Sequence, residues 1–286
     1  PDSSSGGFAL SPNMEYFVVA GGPTPYFYSY TWDNGKATLL PAPSTTPTGT
    51  VEWLVWSPDS RYLAVLHNNS PYVSIYDFDS GAPVKIANPA TLPPSQPDGG
   101  AWSHDGRYLA IAHFVSPFIT IYDWDSGAPV KIANPASLPP NHAEDAAWSP
   151  DNRYLAVTND FTAPYLTIYD WSSGSPVKIA DPAVTPTGPS VGTTWSPDGQ
   201  YLVIAHDTAP FITIYDWSSG SPVKIADPAE LPGGDGRRVS WSSDGRYLAV
   251  SHGSTTLNLT IYDWVSGVPI KIDVPKAAIP DGLTDG

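Results

Sequence analysis

Apolar and polar positions alternate along this chain in short runs, and each run ends in a turn signal. YLAIAH (108–113) and FITIYDW (118–124) follow the period of two that puts one set of side chains on each face of a strand. They are rich in β-branched and aromatic residues, which suit a pleated surface. Ser103-His104-Asp105-Gly106 precedes the first run, and Asp125-Ser126-Gly127-Ala128-Pro129 follows the second. Both are turn sequences, in which Asp and Gly occupy the positions they favour. VKIA (130–133) reads as a further strand, and a short strand ends at Trp102. No segment between these breakers sustains apolar residues at i, i+3, i+4 and i+7, so no helix is predicted.

This four-strand pattern recurs. Trp56, Trp102, Trp148, Trp195 and Trp241 each open a Trp-Ser-x-Asp-x motif, at spacings of 46, 46, 47 and 46 residues. Leu10-Ser11-Pro12-Asn13 lies one period earlier and supplies a sixth, degenerate copy. A regular period of this length marks a repeat architecture. Four antiparallel strands per period expose two apolar sheet faces. Radial stacking covers both faces and leaves short edges. The expectation is an all-β, six-bladed β-propeller of four-stranded antiparallel blades. It forms a single domain over 1–286, with blades at approximately 6–51, 52–97, 98–143, 144–190, 191–236 and 237–286.

Copies of the form W-S-P-D-G-R-Y-L-A followed by I-Y-D-W and S-G resemble WD-repeat blades, which implies the same propeller fold. Two departures limit the comparison. Tyr122-Asp123 and its equivalents stand where that family has Trp-Asp, and the family's Gly-His before the first strand is missing. Its buried Asp–His–Ser–Trp network is therefore not carried over to this chain.

Compared with one another, the copies hold their strands and their S-P-D-G and D-x-S-G turns nearly constant. Two loops vary. One joins strands two and three, as in HFVSP (113–117), NDFTAP (159–164) and HDTAP (206–210). The other leads from strand four to the next blade, as in LPPNHAEDA (138–146) and LPGGDGRR (231–238). In an up-and-down blade these two loops share one end, and the constant turns share the other. Variable loops on a rigid scaffold are where binding concentrates. Phe114, Val115, His142, Phe161, Asp207, Arg237 and Arg238 are the partner-contact residues expected there.

Composition narrows the classes. The chain has 33 Pro, 24 Gly, 11 Trp and 16 Tyr, which fits many short strands and turns. Net charge is -15, so cationic surface for nucleic acid or anionic membrane is scarce. No apolar run is long enough to span a bilayer as a helix. Cysteine is absent, which removes disulfides, thiolate nucleophiles and Cys-based metal sites.

Several constellations suggest chemistry. His67, His113, His206 and His252 end the second strands. A shared metal requires ligands about 2.1 Å from one ion. Equivalent positions on different blades lie too far apart for that, so a blade-local hydrogen bond is expected. Asp59, Asp105, Asp151, Asp198 and Asp244 read as turn formers with an Arg or Gln two residues on. Asp77-x-Asp79-x-Gly81 resembles a calcium loop but lacks the downstream bidentate glutamate. No G-x-S-x-G elbow supports a serine triad. Glu52, Asp98, Glu144 and Asp145 are the carboxylates a glycosidase would use, but Val191, Arg237 and Arg238 replace them in later copies. Asn68-Asn69-Ser70 and Asn258-Leu259-Thr260 match the glycosylation pattern, which Ser/Thr-rich chains often contain.

The functional expectation is a non-catalytic propeller scaffold for protein–protein contact, with no cofactor and no metal. The near-identical blades also resemble, more loosely, propellers of tailed-bacteriophage particles. That resemblance implies a virion structural component, of the decoration or tail-associated kind, found on a particle or outside the cell. The alternative is a secreted or surface lectin-like propeller that stacks glycans on its aromatic faces. A glycosidase-type enzyme comes third.

Overall fold

A computed structural model describes residues 7–33, 35–125, 127–253, 258–265 and 267–272. The chain consists of six four-stranded antiparallel sheets arranged as propeller blades, and each sheet is built from one continuous segment in simple up-and-down order. Two compact units divide it, Pro1–Asn134 and Pro135–Thr284, with three sheets each.

In the first unit, blade one holds β1 (Phe8–Leu10), β2 (Tyr16–Ala20), β3 (Phe27–Asp33) and β4 (Lys36–Leu39). Blade two holds β5 (Val51–Trp56), β6 (Tyr62–His67), β7 (Val73–Asp77) and β8 (Val84–Lys85). Blade three holds β9 (Pro97–Trp102), β10 (Tyr108–His113), β11 (Ile119–Asp123) and β12 (Val130–Lys131). In the second unit, blade four holds β13 (Ala143–Trp148), β14 (Tyr154–Asn159), β15 (Leu166–Asp170) and β16 (Val177–Lys178). Blade five holds β17 (Ser190–Trp195), β18 (Tyr201–His206), β19 (Ile212–Asp216) and β20 (Val223–Lys224). Blade six holds β21 (Gly236–Trp241), β22 (Tyr247–His252), β23 (Leu259–Val265) and β24 (Val268–Ile272).

Within each unit the first strands of successive blades pack side by side. The alternating pattern places Leu109, Ile111, Leu202 and Ile204 between neighbouring sheets, fully buried. Burial of each such side chain is worth about 1.5–3 kcal/mol. The repeated Trp is a packing residue. Trp102 meets Trp124 edge-on at 4.9 Å, and Trp195 meets Trp217 in the same way at 4.9 Å. The tyrosine that opens the preceding blade's second strand adds a third ring. Tyr62 packs on Trp124, and Tyr154 on Trp217. The quadrupoles of such ring pairs add roughly 0.5–1.5 kcal/mol beyond area burial.

The S-P-D-G turn closes on itself. Ser103 Oγ donates to Asp105 and accepts the Tyr108 N–H, while Asp105 Oδ1 accepts the Arg107 N–H. The same three bonds recur around Asp59, Asp151 and Asp244. The arginine's guanidinium is not aimed at this turn aspartate. It reaches the aspartate that ends strand three, as in Arg61–Asp77 at 2.9 Å and Arg153–Asp170 at 3.0 Å. The D-x-S-G segment is a turn as well, with the Asp79 N–H donating to Asp77 Oδ1.

Two features were not expected. The turns from strand two to strand three pass through cis Xaa–Pro bonds at Pro25, Pro71, Pro117, Pro164 and Pro210. Each is followed by an aromatic residue with left-handed backbone, such as Phe118 at φ 66°. The fourth strands of blades two to five are also only two residues long. They place a half-exposed valine and then a lysine on the edge. Short charged edges discourage sheet-to-sheet pairing.

Candidate functional site

The first strands of blades two to six each carry a β-bulge near their start, whereas β1 pairs with β2 in an unbroken register. The register skips Glu52, Glu144, Val191 and Arg237 in β5, β13, β17 and β21, and it shifts at the matching place in β9. A bulge re-aims the extra side chain and often accompanies a site. The expected glycosidase carboxylates thus lie inside first strands rather than in the loops before them.

These carboxylates have different surroundings. In the first unit, burial pushes the Glu52 carboxyl up, and the charge of Asp98 adds to this. In the second unit Asp145 is buried. Its Oδ2 accepts the Thr193 N–H at 3.1 Å and its Oδ1 accepts the Ala146 N–H at 2.9 Å. Burial raises its pKa, while Arg238 and those two N–H groups oppose the rise. Gly192 sits between the blades of Asp145 and Arg238. A Cβ there would lie 2.7 Å from the Arg237 carbonyl oxygen, so only glycine admits β21 at this distance.

The two variable loops do lie together, and hydrogen bonds join them. In blade two Thr48 Oγ1 donates to the Ser70 carbonyl at 2.7 Å, and Asn69 Nδ2 donates to the Thr48 carbonyl at 3.0 Å. In blade three the Val115 N–H donates to Ser95 Oγ. In blade five Thr187 Oγ1 donates to the Ala209 carbonyl at 3.0 Å. These loops are braced rather than free.

Five of the expected contact residues are displayed. Phe114, Val115 and Phe161 are 54%, 46% and 64% exposed, and Asp207 and Arg237 are exposed too. The other two are placed differently. His142 is only 8% exposed, because Phe161 covers its ring at a centroid distance of 5.8 Å and the acids Glu144 and Asp160 flank its Nδ1. Arg238 lies within β21 and turns inward, donating to the Val191 carbonyl. Residue size on a loop was the only sequence signal for both, and it does not report direction. Asp160 was not singled out from the sequence.

The strand-two histidines make the blade-local bonds expected of them. Nε2 of His67, His206 and His252 faces Ser74, Thr213 and Thr260 at 3.1, 2.9 and 2.9 Å. Burial pushes the His67 imidazole down to about 4 and lowers His206 and His252 as well.

No protein-family model matches this chain, and no curated protein matches it. Solved structures do. Hydrazine synthase of Kuenenia stuttgartiensis superposes with a TM-score of 0.67 at 17% identity, covering 91% of this chain and 77% of that one. A chain of the mitotic checkpoint complex gives 0.68 at 20%, covering 95% and 80%. The periplasmic gluconolactonase of Pseudomonas aeruginosa gives 0.68 at 22%, covering 90% and 82%. The shared feature is the β-propeller fold. Enzymes and a checkpoint assembly appear together, so no common function follows.

Proposed function

We propose that this protein is a non-catalytic scaffold that offers its exit loops and its turns between strands two and three to a protein partner. The observation that carries this reading is the exposed apolar pair Phe114-Val115, held on a loop whose backbone Ser95 fixes. A braced loop loses little freedom on binding, so its apolar contacts are not spent on ordering. A tailed-phage particle protein is the partner ranked first. Its support is the resemblance of the repeats, since none of the structures named above is a phage protein.

Cross-linking mass spectrometry in native particles tests this. Cross-links should concentrate on residues near 114 and 161 and join one partner, and F114D with V115D should abolish them. Cross-links confined to the outer strand edges, or unchanged in the variant, would count decisively against the proposal.

A carbohydrate-binding reading has one favourable observation. A cleft between blades four and five is lined by Asp151, Tyr154, Trp195 and Asp198. However, Trp195 is buried against Trp217, so its ring is not free to stack on a sugar. A glycan array that gave binding lost in Y154A would favour this reading over the first.

A further inference from the structure

Blade four departs from its neighbours where its two variable loops meet. Its turn between strands two and three is one residue longer than those of blades two, three and five, and Phe161 in it lies over His142. At the position of His142 the other blades have Thr50, Gln96, Pro189 and Asp235. At the bulge position of Glu144 they have Glu52, Asp98, Val191 and Arg237. At the position of Asp160 they have Asn68, Phe114, Asp207 and Gly253. Among blades two to six, only blade four combines an imidazole with two carboxylates.

These three groups converge. His142 Nδ1 lies 3.4 Å from Glu144 Oε1 and 3.2 Å from Asp160 Oδ2, and all three atoms fall within 4.8 Å of one another. Ligands about 2.1 Å from one ion stand roughly 3.0–3.4 Å apart in octahedral or tetrahedral geometry, so both distances suit a shared metal. No other three His, Asp or Glu side chains come this close among the described residues. A second observation is independent of these spacings. Asp160 Oδ1 is buried without a hydrogen-bond partner, a costly state for a carboxylate oxygen. A dication held by this carboxylate also offsets the repulsion between the Glu144 and Asp160 side chains, each of which is 18% exposed.

We propose that His142, Glu144 and Asp160 form a binding site for one divalent transition-metal ion of the zinc type. The imidazole favours such an ion over calcium or magnesium, and two carboxylates neutralise its charge. Phe161 shields the imidazole side, and the bulge aims Glu144 across. The expectation of no metal rests on the four strand-two histidines, the incomplete calcium-like turns and the lack of cysteine. His142 belongs to none of these arguments. The site is independent of the scaffold reading and does not require a partner.

Calorimetric titration of the full-length chain with zinc chloride decides the matter, alongside thermal unfolding. The expected result is one zinc per chain with saturation below about 100 µM, and a melting temperature that rises with zinc but not with calcium. H142A and D160N should each weaken binding by at least about tenfold, whereas E52Q on blade two should leave it unchanged. If H142A fails to fold by circular dichroism, E144Q takes its place. The d–d absorption of bound cobalt(II) gives a direct readout in all variants. Absence of saturable 1:1 binding, or binding retained in both D160N and the folded His142 or Glu144 variant, overturns the proposal.

Discussion

His113 Nε2 lies 3.0 Å from Thr120 Oγ1, and its Nδ1 lies 2.8 Å from the Val115 carbonyl. A carbonyl can only accept, so Nδ1 carries the proton and the threonine hydroxyl donates to Nε2. Blade four lacks this pair, because Asn159 replaces the histidine and donates instead to the Thr162 carbonyl. Its Thr167 hydroxyl is left buried without a partner. The same substitution should therefore act in opposite directions in the two blades. T120V strands a buried imidazole nitrogen and should cost about 1–3 kcal/mol. T167V removes an unsatisfied hydroxyl and should be neutral or stabilising. Urea unfolding of both variants measures this, and equal losses would refute the assignment.

Tyr122 Oη donates to the Thr91 carbonyl at 2.8 Å, tying strand three of blade three to the exit loop of blade two. Tyr215 does the same to the Val184 carbonyl in the second unit at 2.9 Å. Y122F keeps the ring and removes only the donor, so it should lower stability by about 1–2 kcal/mol. Hydrogen exchange should speed up in the loop around Thr91 more than in β10. Uniform acceleration across the blade would show that the bond is not local.

G192A forces a Cβ against the backbone of β21, and G100A does so against the Ala110 carbonyl oxygen at 2.8 Å. Backbone cannot swing aside as a flexible side chain can. Each variant should lose roughly 1–3 kcal/mol through overpacking. Denaturant midpoints unchanged from the parent in both would contradict these close approaches.

Acid should weaken the fold before the carboxylates titrate. The His67 imidazole sits near 4 because it is buried, against about 6.5 in the unfolded chain. Above pH 6.5 both states are neutral and the full stability is present. As pH falls from about 6.5 to about 4 the unfolded chain takes up a proton that the folded chain refuses, so stability drops. The loss from this residue approaches about 3 kcal/mol at the lower end, and His206 and His252 act in the same direction. Urea midpoints measured from pH 7.5 to 4.5 should decline, and H67N should flatten the decline. A flat profile in the parent chain would disprove it.

The strands, the Trp packing and the turn role of Asp105 were legible in the sequence because each repeats with a local period or a local turn signature. Partner choice across longer separations was not. Asp105 and Asp123 are both acids within reach of Arg107 on paper. Only the antiparallel pairing of Tyr108 with Asp123 shows that the guanidinium meets the second, at 3.2 Å. The burial of His142 was hidden for a similar reason. It depends on a one-residue insertion eighteen positions later and on a bulge at Glu144, and neither has a signature in a single copy. The exposure of Phe114 and Val115 was readable, since a bulky residue at the tip of a short turn has no sheet to pack on.

The tyrosine clasp has one more consequence. Its acceptors are the carbonyls of Thr45, Thr91, Ser137, Val184 and Glu230, five positions with four different side chains. The clasp grips main chain, so it is blind to what the loop displays. Mutation can rewrite the loop surface while the joint beneath it stays shut, which uncouples the evolution of recognition from the evolution of stability.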